Sequence, residues 1–85
     1  MEKFVCVHLK HTNGKEMIFE NIPFEMSVVD FKKIVSRKMN YDISTIKFIY
    51  KGKFLPNEKK FGNLECLEKV NMIVMGKFKI KKLKL

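Results

Sequence analysis

The chain has 85 residues, of which 46% are hydrophobic and 32% charged, and its formal net charge at pH 7 is +9. This length suffices for one small domain with a single core, and no apolar run approaches the roughly 18 residues that a membrane-spanning helix needs. The first residues do not form a signal peptide, so we expect the protein in the cytoplasm, the nucleus or both, and the positive charge favours acidic partners.

The first quarter of the chain predicts a β-hairpin. Apolar and polar residues alternate over residues 4–9, which is the period of a strand with one buried face. Asn13 and Gly14 supply the positive φ angles of a tight turn. The alternation resumes with Met17 and Phe19 on one face, which predicts a second, antiparallel strand.

An amphipathic helix is predicted next. Ser27 is a typical N-cap residue, and Asp30 follows it at the spacing of a weak capping box. From Val28 to Met39 the apolar residues recur at helical spacing, with the basic residues set away from them. This pattern predicts about three turns of helix whose apolar side belongs to the core.

Three further short strands complete the predicted fold. Alternation over residues 46–51 indicates a third strand, residues 51–53 a turn, and residues 54–55 a short fourth strand. The last strand alternates over residues 71–75 and ends at Gly76. The order β-β-α-β-β-β, with a mixed sheet packed on one helix, is a small α+β roll.

This ordered set of elements resembles ubiquitin and its relatives, which share the ubiquitin-like β-grasp roll. The resemblance covers residues 4–76 and rests on the hairpin, the helix that begins at Ser27, the segment 46–55 and the final strand. The ending from Met72 to Gly76 is similar to that of the ubiquitin-like domains of BAG cochaperones, a proteasome-associated deubiquitinase and a proteasome-associated phosphatase.

The residues after Gly76 depart from ubiquitin, whose Gly-Gly carboxylate is joined to lysines. The resemblance therefore implies a ubiquitin-like domain over residues 1–76, and a basic tail or the start of a linker over 77–85, without conjugation. The tail has three interpretations: it extends the last strand, it binds nucleic acid or an anionic membrane, or it leads into a larger protein. We favour the last, because domains of this subgroup stand at the start of multidomain proteins.

Three apolar residues are predicted on the exposed face of the sheet. The alternation of the third strand turns Ile49 towards solvent, and Ile73 and Met75 point away from the core in the last strand. In a ubiquitin-like sheet these two strands are neighbours, which would bring the three side chains together. Such a convergence predicts a docking surface, and the alternative is that the basic tail folds over and buries it.

The resemblance adds three residues to this surface. Gly52 and Lys53 would stand on its rim. Thr12 occupies the position of a mobile apolar loop residue of ubiquitin, so its contribution is expected to be weaker than in ubiquitin.

The potential metal ligands do not form a recognisable site. Cys6, His8 and His11 match no tetrahedral spacing, so we expect no metal and no cofactor. Cys6 and Cys66 are predicted to be free thiols, with Cys66 in the core. No nucleophile–base pair or phosphate-binding loop stands out, and we therefore do not expect an enzyme.

The favoured function is that of a monomeric, non-covalent interaction module. It would mimic the surface of ubiquitin and dock a larger protein onto a proteasome subunit or another ubiquitin-receptor domain. An alternative module would bind nucleic acid or an anionic membrane through the helix lysines and the tail, as the net charge of +9 allows. In a third interpretation the second strand joins a partner's sheet, with Lys10 and Lys15 near that edge.

Overall fold

The structure, a computed structural model, describes residues 3–64 and 69–79. One helix packs on one face of a five-stranded mixed sheet. The elements are β1 (Phe4–His11), β2 (Glu16–Pro23), α1 (Val28–Met39), β3 (Lys47–Tyr50), β4 (Lys53–Phe54) and β5 (Lys69–Met75), with 3-10 turns at Ile43–Thr45 and Phe61–Asn63. The predicted α+β order β-β-α-β-β-β is confirmed.

The sheet order is β2-β1-β5-β3-β4, which places the first and last strands side by side in its middle. β1 and β5 run parallel, from the pair of Cys6 with Lys69 to the pair of His11 with Val74. The other neighbouring strands are antiparallel. Every strand other than β2 and β4 is therefore hydrogen-bonded on both sides, and the central pair is the most protected part of the sheet.

The core lies between α1 and the inner face of the sheet, and its centre is Phe31. This side chain is fully buried, and its ring centroid lies 5.2 Å from that of Phe19, 5.4 Å from Phe48 and 5.1 Å from Phe61. Offset and edge-on aromatic pairs at such distances stabilise a core beyond simple area burial. Most inward residues expected from the alternation are buried, whereas Met17 in β2 and Tyr50 near the end of β3 pack against the core only partly buried.

The helix has the termini that its sequence predicts. The hydroxyl oxygen of Ser27 accepts a hydrogen bond from the backbone N–H of Asp30 at 3.3 Å. The helix ends at Asn40, whose φ of 58° is left-handed and whose N–H bonds the carbonyl of Ser36. Asparagine tolerates this conformation better than most residues, so both ends are set by local chemistry.

A β-bulge in β2 changes which of its residues face the core. Val7 pairs with Phe19 and Val5 with Ile22, so that two residues of β2 stand opposite one of β1. One of the two, Asn21, has a φ of 59°. The extra residue shifts the phase of the strand, and Ile22 is buried although it is three residues after Phe19.

The chain after β5 turns towards the loop that follows α1. The backbone carbonyl of Lys77 accepts a hydrogen bond from the backbone N–H of Asp42 at 2.8 Å, and the N–H of Lys79 donates to the carbonyl of Asn40 at 2.9 Å. Between them Phe78 forms an antiparallel β-bridge with Tyr41. The centroids of their two rings lie 5.1 Å apart in an edge-on arrangement. The strand thus ends at Met75, and residues 77–79 belong to a separate pairing rather than extending β5.

We predict that the bulge at Asn21 depends on its left-handed backbone. Asn21→Val should lower the free energy of unfolding by about 1–2 kcal/mol, because a β-branched residue is strained at positive φ. Asn21→Gly should have little effect, since glycine adopts this conformation freely. Chemical denaturation of the two variants measures the difference, and equal stabilities would contradict the bulge.

Candidate functional site

The face of the sheet opposite α1 carries the candidate site. Ile49 of β3 pairs directly with Ile73 of β5, and Lys47 pairs with Met75, so the three apolar residues expected to converge share this face. The exposed fraction is 43% for Ile73 and 39% for Met75. Ile49 is half-buried rather than fully turned to solvent, because it is flanked by apolar neighbours on both adjoining strands.

Phe54 extends this apolar surface, and the sequence patterns did not identify it as a site residue. It pairs with Ile49 from β4 and is 62% exposed. We call Ile49, Phe54, Ile73 and Met75 the outer-face patch. The signal for Phe54 was available in the alternation, because Leu55, its neighbour, packs against the core and bonds the carbonyl of Phe48 through its N–H at 3.0 Å.

The turn between β3 and β4 forms one rim of the patch. Lys51 and Gly52 both have positive φ, 50° and 80°, as in the mirror-image turns of tight hairpins. Together with Ile49 and Ile73 they line a shallow depression of about 410 Å³. Lys53 follows the turn as an exposed residue, but it pairs with Tyr50 and lines a different depression, so its place on the rim stays a prediction.

Thr12 is placed less centrally. It is exposed in the turn after β1, next to His11, which pairs with Val74. Its backbone neighbours are held by local bonds, since the ring Nδ1 of His11 accepts from the N–H of Asn13 at 3.0 Å. Thr12 therefore lies at one end of the β1–β5 pair, in a turn that its own hydrogen bonds keep folded.

Positive charges border the patch on several sides. Lys10 pairs with Ile73 across β1 and β5, and the ammonium of Lys47 lies 5.6 Å from the centroid of the Phe54 ring. A cation at this distance is attracted to the face of an aromatic ring. Glu16 also lines the depression, and its carboxylate lies 3.5 Å from Nε2 of His8. The surface is therefore apolar at its centre and mainly basic at its edge.

The position of the first tail residues bears on the alternative in which the tail covers the patch. Residues 77–79 pair with the segment from Asn40 to Asp42 instead, as described above. In addition, the N–H of Lys77 bonds the hydroxyl oxygen of Thr45 at 2.9 Å. As far as Lys79, the chain after β5 leaves Ile73 and Met75 exposed.

The potential metal ligands take separate roles. Cys6 and His8 lie on the outer face, whereas His11 packs its ring 5.3 Å from that of Tyr41. Over residues 3–64 and 69–79, no group of three histidine, cysteine, aspartate or glutamate side chains is placed to hold a metal ion. Cys66 lies outside the described residues, so its predicted core position and free thiol stay predictions.

A search for membrane-spanning segments gave a negative result. No helix in the described part of the chain combines the length and the apolar character needed to cross a membrane.

Comparison with known proteins defines the fold. No family model matches the chain, and no curated protein matches it. Among solved structures 377 chains match, including one in the crystal structure of the pParkin-pUb-UbcH7 complex. That match has a TM-score of 0.77 and 15% sequence identity, and it covers 85% of this chain and 22% of the other. The architecture is that of a ubiquitin-like β-grasp roll, and the chain spans about a fifth of the length of this structural neighbour.

We predict that truncation of two consecutive residues of β5 lowers stability by different amounts. Val74 is fully buried, so Val74→Ala should lower the free energy of unfolding by about 2 kcal/mol. Ile73→Ala should cost less than about 1 kcal/mol, because its side chain is already 43% exposed to water. Thermal or chemical denaturation compares them, and a larger effect at Ile73 would mean that the register of β5 is wrong.

Proposed function

We propose that this domain is a non-covalent interaction module that docks a larger protein onto the proteasome or another ubiquitin receptor. The observation that carries the proposal is the outer-face patch. Four apolar side chains from three neighbouring strands adjoin one another there, and three of them are 39% exposed or more. A contiguous apolar surface on a small soluble domain is typical of a site of protein interaction.

The composition of the patch suits a weak, adaptable interface. Met75 has a flexible thioether side chain that adjusts to different partner surfaces. Ile49, half-buried at the centre, provides a fixed contact, and the aromatic ring of Phe54 offers a large area at low entropic cost. A patch of four residues buries less than a standard interface of ~1,600 Å², so we expect a Kd on the order of micromolar.

The partner that this surface fits is a receptor element with an apolar centre and acidic side chains around it. Lys10, Lys47 and Lys51 are exposed at the edge of the patch, and the whole chain has a net charge of +9. Complementary charge speeds association and disfavours basic partners. Nucleic acid or an anionic membrane would also be attracted by this charge. Such binding would be less specific than protein docking, because it does not need the apolar centre of the patch.

We expect this domain to act by binding alone, without conjugation or catalysis. The segment Gly76-Lys77-Phe78 takes the place of the Gly-Gly that ubiquitin uses for conjugation, which supports a domain that acts by binding alone. We further propose that it has no catalytic activity of its own, that it acts as a monomer, and that it works in the cytoplasm or nucleus, where ubiquitin receptors are found. We also propose that the domain is related to the ubiquitin-like domains of BAG cochaperones and of the proteasome-associated deubiquitinase and phosphatase.

We predict that truncating the patch abolishes receptor binding without unfolding the domain. Ile49→Ala combined with Met75→Ala should weaken binding to immobilised, purified proteasome by at least about tenfold, because such patches concentrate their binding energy in a few central residues. Arg37→Gln combined with Lys38→Gln, in the last turn of α1, is the control: it removes two charges far from the patch and should bind as the unaltered domain does.

Four results would decide between docking through the patch and binding through charge. Displacement of the domain by excess free ubiquitin would support a shared receptor. Backbone chemical-shift changes confined to β3, β4 and β5 would locate the contact on the outer face. Undiminished binding of the patch variant, or loss of binding in the α1 control, would refute the proposal and favour a charge-driven interaction.

A further inference from the structure

Two lysines from different elements meet beside the outer-face patch. Lys32 projects from α1 and is half-buried, and Lys47 projects from β3. Both line a shallow depression of about 380 Å³, together with Phe54, Leu55, Pro56 and Asn57. The helix and the sheet thus bring two lysines to one concave site, where the ammonium of Lys47 lies 5.6 Å from the centroid of the Phe54 ring.

The hydrogen bonding of Lys32 is unusual for a half-buried cation. Its ammonium donates to the side-chain oxygen of Asn57 at 2.6 Å, which is a neutral acceptor. The ion pairs in the described part of the chain join His8 with Glu16, Lys33 with Asp30 and Lys60 with Glu25. Over residues 3–64 and 69–79, therefore, neither Lys32 nor Lys47 has a carboxylate partner.

The electrostatics of the pair are unfavourable without an added negative charge. Burial lowers the pKa of Lys32, and the positive charge of Lys47 lowers the pKa further. Burial and the charge of Lys47 both disfavour the charged form of Lys32. An anion bound between the two lysines would offset the repulsion between their charges. A phosphate group suits two lysines at one depression, because it carries up to about two negative charges and has oxygens that accept hydrogen bonds from both.

We propose that Lys32 and Lys47 form a binding site for a phosphate group, carried on a phosphorylated side chain of the protein that docks on the outer-face patch. The site rests on the proposed function for its partner, because Phe54 belongs both to the patch and to the wall of this depression. A protein bound across Phe54 would place its neighbouring residues within reach of both lysines. The site would thereby make docking sensitive to phosphorylation of the partner.

The direct test is a titration of the isolated domain with inorganic phosphate, followed by NMR of the lysine side chains and the Asn57 amide. We expect saturable shifts at Lys32, Lys47 and Asn57, and no such shifts with sodium chloride at matched ionic strength. Acetate should bind at least about tenfold more weakly than phosphate, since it carries one charge. Equal binding of acetate, or shifts spread over all surface lysines, would overturn the proposal.

Two matched pairs of variants make the test specific. Asn57→Asp places a carboxylate 2.6 Å from Lys32 and should weaken phosphate binding by roughly tenfold, whereas Asn63→Asp, which changes the net charge equally, should not. Lys47→Met should also abolish the shifts, while Lys33→Met, which removes the partner of Asp30, should leave them. Unchanged phosphate binding in Asn57→Asp or Lys47→Met would refute the site.

The source of the phosphate is tested with O-phosphoserine and serine. O-phosphoserine should shift the same three residues as inorganic phosphate, and serine should shift none. Binding of inorganic phosphate but not of O-phosphoserine would overturn the assignment to a phosphorylated side chain. The variant Ile49→Ala with Met75→Ala should retain phosphate binding, so that a failure of the docking hypothesis and a failure of the phosphate site are observed separately.

Discussion

The parallel pairing of β1 with β5 is the constraint on which the rest of the structure depends. It places the last strand between the first and the third, so that Ile73 has Lys10 on one side and Ile49 on the other. Because each strand alternates its side chains, this one register decides both faces of the sheet at once. The inner face receives Val70, Met72 and Val74 for the core, and the outer face receives the residues between them.

The two faces of the sheet differ in burial. The inner face and α1 close around Phe31, and the core residues are almost completely buried. The outer face carries apolar side chains that contribute less to folding, because Phe54, Ile73 and Met75 stay partly exposed to water. In the proposed function, contact with a partner would bury them, and the lysines at the edge would favour an acidic partner.

The fold itself leaves the function open, since a ubiquitin-like architecture is shared by many solved chains. What distinguishes this domain is its surface chemistry. Phe54 adds an exposed ring to the patch, and its neighbour Lys47 faces Lys32 across a depression where a neutral amide, Asn57, is the acceptor. The proposed function therefore rests on these side chains and their charges, which the fold holds in place.

The sequence by itself determined the elements and most of their inward faces, because period, turn residues and caps are local properties of the chain. The bulge in β2 is the exception, since it shifts the phase of that strand. It also indicated that Ile49, Ile73 and Met75 face outwards. Only the tertiary structure decided what depends on contacts between distant segments: the half-burial of Ile49, the place of Phe54 beside it, and the pairing of residues 77–79 with the loop after α1. No periodicity within one segment encodes which strand becomes its neighbour, and the packing of the whole chain settles that.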